Sequence, residues 1–287
     1  CNSPQPRNCR GFWPNRRVWA AKEQAVDKGI IDLSYLDLAL VYGLVLLVIG
    51  LARLRGIGQE RDMLIASLRM VVQLLALGYV LHLVFALSSP APVLLILVIM
   101  AVFSVQAVAA RVKDRMPNFY RVVGVAIFIG CGGATFFFCS LVIGLTPWYD
   151  PRYLVPLAGM IIGNSMTGAS LAAERLAAEM QDRREEIEAL LCLGASSRQA
   201  AREAVRSAYR AALIPSINAM AAMGIVFIPG MMTGQILSGT DPIIAVKYQI
   251  AIMCVITGSV AVTSLLILIL GYRGYFTVAQ QLRPSRS

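Results

Sequence analysis

Seven almost wholly apolar stretches, each about 20 residues long, alternate along this chain with short polar breaks. An α-helix rises about 1.5 Å per residue, so each stretch can cross a hydrocarbon layer roughly 30 Å thick. In lipid the backbone must satisfy its own hydrogen bonds, and the pattern therefore predicts helices. The predicted spans are Leu33–Ala52, Leu64–Leu87, Ala91–Ala110, Val122–Leu145, Leu154–Ala172, Leu213–Leu237 and Ile243–Leu270.

Composition supports the same class of fold. The chain of 287 residues is 57% hydrophobic and 15% charged, and its charges are clustered between the apolar stretches. We expect an all-α, polytopic membrane protein with about seven transmembrane helices over residues 30–276. A polar N-terminal extension over 1–29 contains no apolar segment and is predicted to be disordered, and a short tail follows over 277–287.

Basic residues mark alternate loops between the spans. Arginines and lysines follow the first, third, fifth and seventh spans, whereas the intervening loops carry almost none. Loops rich in basic residues stay cytoplasmic, so the pattern predicts a multi-pass membrane protein with an outer N-terminus and a cytoplasmic C-terminus. The basic N-terminal extension disagrees, but four concordant loops outweigh it. The net charge of +10 is therefore assigned to the flanks of a lipid bilayer and not to nucleic-acid binding.

One loop, between the fifth and sixth spans, is long enough to form a structure of its own. Residues 174–210 contain seven acidic side chains and seven arginines among residue types that favour helices. Gly194 interrupts the pattern, and Ser196 with Gln199 forms a capping-box sequence that opens a second helix. We expect a cytoplasmic helical hairpin with the apolar residues 190–193 at its bend. Such a patch favours docking of a partner, and the alternative is that it packs against the protein's own bundle.

The bend also carries a family resemblance. Residues 188–194 resemble the Glu-Ala-Ala-x-x-x-Gly loop with which ABC-transporter permeases contact their ATPase subunit, although Leu190 replaces the second alanine. Longer motifs resemble the FetB family of ABC permeases, and the resemblance covers about residues 32–276. These motifs lie at residues 69–81, 158–166, 210–215, 228–234 and 241–250.

The resemblance implies a permease subunit that works with a separate ABC ATPase, in a complex of two permeases and two ATPases. ATP would be used by that partner, and this chain would bind no cofactor. Bacterial members of the family are implicated in iron export, and plant relatives are linked to aluminium tolerance, with UDP-glucose proposed as a cargo there. Residues 247–249 resemble the bacterial form, which implies a bacterial inner or plasma membrane. The residues implied in coupling to the ATPase are Glu188, Ala189, Leu190, Leu191 and Gly194.

Two polar residues inside the second span are candidates for a transport path. Arg69 and Gln73 lie one helical turn apart, and a charge within a span is costly in lipid unless it faces a polar interior or a partner. The alternatives are an interhelical lock, or an Arg69 side chain that extends to the inner boundary of the membrane.

Other candidates for a path or gate lie in the fifth and sixth spans. Asn164 either lines a path or forms hydrogen bonds between packed helices. Asn218 follows a proline in the sixth span, and Pro229 with Gly230 breaks the outer part of that span. A broken helix suits a hinge or an outer gate, and equally a static re-entrant turn.

The sequence lacks the motifs of a P-loop ATPase and of histidine-dependent hydrolases. The chain has no G-x-x-x-x-G-K-[ST] P-loop, and its single histidine, His82, is too little for a zinc-protease or Ser–His–Asp site. We therefore predict a transport subunit and not an enzyme. Four methionines have thioethers that suit soft metals, but packing is the favoured role for them and a metal site stays unknown. They are Met220, Met223, Met231 and Met232.

Three functions remain open at this point. The leading hypothesis is ATP-driven export of metal ions, iron first, with a separate ATPase subunit. One alternative keeps this architecture but moves a nucleotide-sugar or another organic solute. A further alternative is a membrane scaffold or sensor that docks an ATPase without transporting anything.

Overall fold

A computed structural model describes residues 34–56, 58, 60–86, 89–112, 118–277 and 279–283. In these ranges the chain is almost entirely helical, and the only β-type pairings among them are two isolated bridges. The all-α prediction is confirmed. The N-terminal extension that we expect to be disordered lies outside the described residues.

Among the described residues, six helical segments are long and apolar enough to cross a membrane, and they match the first five predicted spans and the seventh. In the fourth of them, α-helical and π-helical stretches alternate. In chain order the helices are α1 (Tyr35–Leu54), α2 (Glu60–Ala86), α3 (Pro90–Arg111), α4 (Phe119–Ile127), π1 (Phe128–Gly132), α5 (Gly133–Phe136), π2 (Phe137–Ile143), α6 (Pro151–Asp182), α7 (Arg184–Cys192), α8 (Ser197–Ala200), α9 (Arg202–Ala222), α10 (Gly230–Leu237) and α11 (Pro242–Gly271), and a 3₁₀ turn (Tyr272–Tyr275) follows.

The predicted sixth span is a broken helix and not one uninterrupted segment. α9 ends at Ala222, and α10 begins at Gly230. Between them Gly224 has φ +83°, which glycine adopts at little cost, and its N–H donates to the Phe227 carbonyl at 2.9 Å. Pro229 precedes α10 and has no N–H with which to continue a helix. A turn and a proline therefore separate the two helices, in agreement with the break that the sequence predicts.

The chain divides into two compact units. They comprise residues 1–75 with 235–241, and residues 76–234 with 242–287. In the first unit α1 begins with a capping box, in which the Ser34 N–H donates to Asp37 Oδ2 at 3.0 Å. The hydroxyl groups of Tyr42 and Ser67 lie 3.0 Å apart and link α1 to α2. Most large apolar side chains of this unit are exposed, as is expected of helices that face lipid.

The second unit has a continuous apolar core, in which α6 and α11 pack against each other. Ile161 of α6 and Ile252 of α11 are fully buried in this core. The two helices approach closely because α6 has a glycine at their contact. A Cβ atom at Gly168 would lie only 2.6 Å from Val260 Cγ1. Small residues of this kind let helix backbones approach closely in membrane proteins.

Buried hydroxyl groups connect α6, α11 and π1 at the centre of this unit. Ser165 Oγ and Ser259 Oγ lie 2.8 Å apart, and Ser259 Oγ also donates to the Gly130 carbonyl at 3.2 Å. Both serines are buried. Three helical segments are thus joined by hydrogen bonds where no water is available to replace them.

Candidate coupling site at the helical hairpin

A helical hairpin leads from α6 into the broken helix. Its first arm is the end of α6 together with α7, and its second arm is α8 with the beginning of α9. The fifth span predicted from sequence ends at Ala172, whereas α6 continues as one helix to Asp182. The helical hairpin that the sequence predicts is therefore present, and its cytoplasmic location remains a prediction from the charge pattern.

The bend between the arms follows a Schellman motif at the end of α7. The Ala195 N–H donates to the Leu190 carbonyl at 3.0 Å, and the Gly194 N–H donates to the Leu191 carbonyl at 3.0 Å. Gly194 has φ +90°, a left-handed conformation that costs other residues about 1–2 kcal/mol. The glycine at this position is therefore required by the geometry of the bend.

The second arm begins with the capping box that the sequence predicts. The Ser196 N–H donates to Gln199 Oε1 at 2.9 Å, and Ser196 Oγ accepts from the Gln199 N–H at 3.4 Å. The next backbone N–H, of Ser197, donates to Gln280 Oε1 at 2.9 Å. Because N–H groups in the first turn of a helix have no partner within the helix, the C-terminal part of the chain completes this cap.

The predicted coupling residues face in two directions. Leu190 and Leu191 are partly buried and pack against the core of the second unit. Glu188 and Ala189 are exposed, and Leu193 at the bend is 84% exposed. Leu190 and Leu191 therefore support the hairpin on one side, while the tip of the bend presents the exposed side chain of Leu193.

A groove of about 470 Å³ opens beside the bend. Glu188, Leu191 and Cys192 line it from the hairpin, and residues 279–282 line it from the C-terminal segment. The Glu188 carboxylate is held by Arg184 Nε at 2.9 Å, and both side chains are more than a third exposed.

A buried carboxylate ties the two arms together at their base. Glu179 of α6 is 5% exposed. It accepts hydrogen bonds from Ser207 Oγ of α9 at 2.7 Å, from Arg175 at 2.6 Å and from Arg183 at 2.8 Å. Sequence reasoning missed this cluster, because every acidic residue of 174–210 has an arginine within four positions and the pattern does not single out Glu179. Nothing in the sequence identifies Ser207 as the third donor.

The polar candidates for a transport path are exposed in the structure. In the first unit, Arg69 and Gln73 are exposed on α2. In the second unit, Asn164 and Asn218 are exposed on α6 and α9. Asn164 Nδ2 donates to the Met160 carbonyl of its own helix at 2.8 Å, so this hydrogen bond does not connect two helices.

At the helix break, the Pro229 carbonyl forms hydrogen bonds within the same segment. Pro229 is buried, and its carbonyl accepts from the Thr233 N–H at 3.0 Å and from Thr233 Oγ1 at 3.1 Å. Gly230 is exposed and begins α10. The Pro229 carbonyl is thus the first backbone acceptor of α10.

Two of the candidate methionines contact polar groups of α11. Met220 Sδ accepts from Thr257 Oγ1 at 3.6 Å, and Met223 Sδ accepts from Gln249 Nε2 at 3.7 Å. Within the described ranges no group of three or more His, Cys, Asp or Glu side chains is placed to hold a metal ion.

These features define a polytopic α-helical membrane protein with a helical hairpin between a long helix and a broken one. The chain belongs to the family described as Uncharacterised protein family (UPF0014), whose model matches residues 35–276.

Relatives match over almost their whole length, which confirms the resemblance drawn from the motifs. The chain is 38% identical over 259 residues to "UPF0014 membrane protein slr1647" of Synechocystis, covering 90% of this chain and 99% of that protein. It is 38% identical over 253 residues to "UPF0014 membrane protein YjkA" of Bacillus subtilis, covering 88% and 100%. It is 30% identical over 246 residues to "Probable iron export permease protein FetB" of Escherichia coli, covering 86% and 93%. No solved structure matches the chain.

Proposed function

We propose that this chain is the transmembrane permease subunit of an ATP-driven ABC exporter of metal ions, with iron as the first candidate cargo. The observation that carries the proposal is the similarity to the protein named an iron export permease, which extends over 93% of that protein. A separate ATPase would dock at the hairpin bend and supply the ATP hydrolysis for which this chain has no P-loop.

The contacts of the hairpin support a mechanical role. Glu179 and Ser207 join the first arm to the second, so force applied at the bend acts on both arms together. The second arm continues in α9 up to the helix break, and the first arm continues in α6 through the buried core. We place the moving outer gate at Pro229 and Gly230, where α10 begins after a turn and not as a continuation of α9.

The exposed polar residues support a path that a second permease copy completes. Amide and charged side chains on apolar helices are costly in lipid, and exposed ones are expected to face water or another protein surface. Asn164 and Asn218 meet this description in the second unit, and Arg69 and Gln73 meet it in the first. We assign these four side chains to the path or to the surfaces between the two permeases.

Docking is tested by co-purification of the full chain with a stand-alone ABC ATPase of the same genome. Gly194→Val strains the bend, because the new residue would have to adopt φ +90°, and Leu191→Arg places a charge against the core and groove. Both are expected to release the ATPase. Arg198→Ala is the control, because Arg198 is exposed on the second arm and outside the groove. Retention of the ATPase by both bend variants would contradict docking at the hairpin.

Cargo is tested with the co-purified complex in proteoliposomes. Fe²⁺ is expected to stimulate ATP hydrolysis and to cross the membrane only when ATP is present. Stimulation by UDP-glucose and not by Fe²⁺ would favour an organic solute. ATPase docking without ATP-dependent flux of either compound would favour a scaffold or sensor.

A further inference from the structure

The described residues after the 3₁₀ turn fold back as a compact turn against the hairpin. We call residues 275–277 and 279–283 the C-terminal turn. The Thr277 N–H donates to the Gln281 carbonyl at 2.8 Å, and the Arg283 N–H donates to the Tyr275 carbonyl at 2.8 Å. Phe276 is buried in the core of the second unit and anchors the turn there.

Two hydrogen bonds connect the C-terminal turn to the hairpin. Gln280 Oε1 accepts from the Ser197 N–H at the start of the second arm, and Arg184 Nη1 of the first arm donates to the Arg283 carbonyl at 3.3 Å. The turn therefore contacts both arms of the hairpin, one on each side of the bend.

Gln280 holds an unfavourable backbone conformation in this contact. Its φ of +61° lies in the left-handed region, which residues other than glycine adopt at a cost and which persists where surrounding contacts impose it. Glycine would fit this backbone better but has no carboxamide to accept from Ser197. The hydrogen bond to Ser197 therefore explains a glutamine at this position, because the backbone conformation by itself favours glycine.

The groove beside the bend has the C-terminal turn as its second wall. Leu191 and Cys192 line it from the hairpin, and Ala279 and Leu282 line it from the turn. Glu188 is the only carboxylate among the described residues that line it. It pairs with Arg184 at 2.9 Å, but it is 48% exposed and a carboxylate has further lone pairs, so it can also accept from a basic group of a partner. None of the described side chains that line the groove is cationic. Its chemistry suits a partner segment with a small apolar side chain next to a lysine or arginine.

We propose that the C-terminal turn is the second half of the ATPase-docking surface, and that Gln280 is a positioning residue that holds the bend in its docking shape. The occupant of the groove is a segment of the ATPase with an apolar residue beside a basic one. This inference rests on the proposed function, since it concerns the same partner and the same hairpin.

The test measures binding of the co-produced ATPase to full-length variants of the turn. Ala279→Trp fills the groove from the turn side and is expected to reduce the co-purified ATPase more than tenfold, whereas Ala279→Ser leaves the groove open and should match the wild type. Gln280→Ala and Gln280→Gly both remove the acceptor for Ser197 and are expected to weaken binding about fivefold, the scale of a lost helix cap. Gln280→Glu keeps an acceptor and should retain binding.

The outcomes separate this inference from the proposed function. If Gly194→Val and Leu191→Arg release the ATPase but Ala279→Trp and Gln280→Ala do not, the turn is outside the docking surface and the inference is overturned alone. If Gln280→Gly binds as well as the wild type, the side chain has no positioning role. If the wild-type chain binds no ABC ATPase, both proposals fail. Thermal melting of each purified variant, expected within about 4 °C of the wild type, excludes unfolding as the cause.

Discussion

Removal of the buried carboxylate at the base of the hairpin should destabilise the protein far more than removal of an exposed one. Glu179→Ala deletes the acceptor of the partly buried hydrogen bond from the Ser207 hydroxyl, and a hydrogen bond to a charged group contributes about 1.5–3 kcal/mol. The side chains of Arg175 and Arg183 are 52% and 38% exposed, so their ion pairs are screened by solvent and together add about 1 kcal/mol or less. The expected loss is about 2–4 kcal/mol.

Thermal melting in detergent measures this loss. At about 2–4 °C per kcal/mol, Glu179→Ala should lower the Tm by roughly 4–16 °C. Glu179→Gln retains the shape and one acceptor for Ser207, and it should show a smaller decrease. Glu203→Ala is the matched control, because Glu203 pairs with Arg206 at 3.7 Å on the same hairpin and both side chains are more than half exposed. Its Tm should change by no more than about 2 °C. Equal effects of Glu179→Ala and Glu203→Ala would refute the conclusion that the Glu179 cluster stabilises the base of the hairpin.

Three further predictions concern the transmembrane core and the topology. Gly168→Leu should disrupt the contact of α6 with α11 and lower the Tm, whereas Gly163→Leu should have little effect because a Cβ there meets nothing within 4 Å. Ser259→Ala removes two buried hydrogen bonds and should cost about 1 kcal/mol, measured by the same melting assay. In a cysteine-free background, Arg198→Cys should react with impermeant maleimide only from the cytoplasmic side and Ser238→Cys only from outside; the reverse pattern would invert the topology.

Helices were the most predictable part of this structure, because long apolar stretches leave the backbone no other way to satisfy its hydrogen bonds in lipid. The bend was predictable as well, since Gly194 and the Ser196–Gln199 pair are local signals for its two ends. The path of the broken helix was only partly predictable. Pro229 and Gly230 indicate a break in the sixth span, but the turn at Gly224, which ends the preceding helix earlier, was not predicted.

The contacts that complete the candidate site were not predictable from local sequence. Gln280 accepts from Ser197 across a separation of 83 residues, and neither residue carries a signal for the other. Glu179 lies in a stretch of alternating charges where every acid has a basic neighbour, so only the fold shows that this one is buried. Long-range pairing and burial are set by tertiary packing, which a single sequence does not display.

The continuity of α6 limits how this protein can change shape. From Leu157 to Asp182 the helix contains no proline, so it forms a rod roughly 39 Å long that resists bending. A tilt of about 5° displaces one end relative to the other by roughly 3 Å, whereas a local flexing would have to break internal hydrogen bonds. A force applied at the hairpin end of α6 would therefore swing the whole helix, and any bending would have to occur in the helices that pack against it.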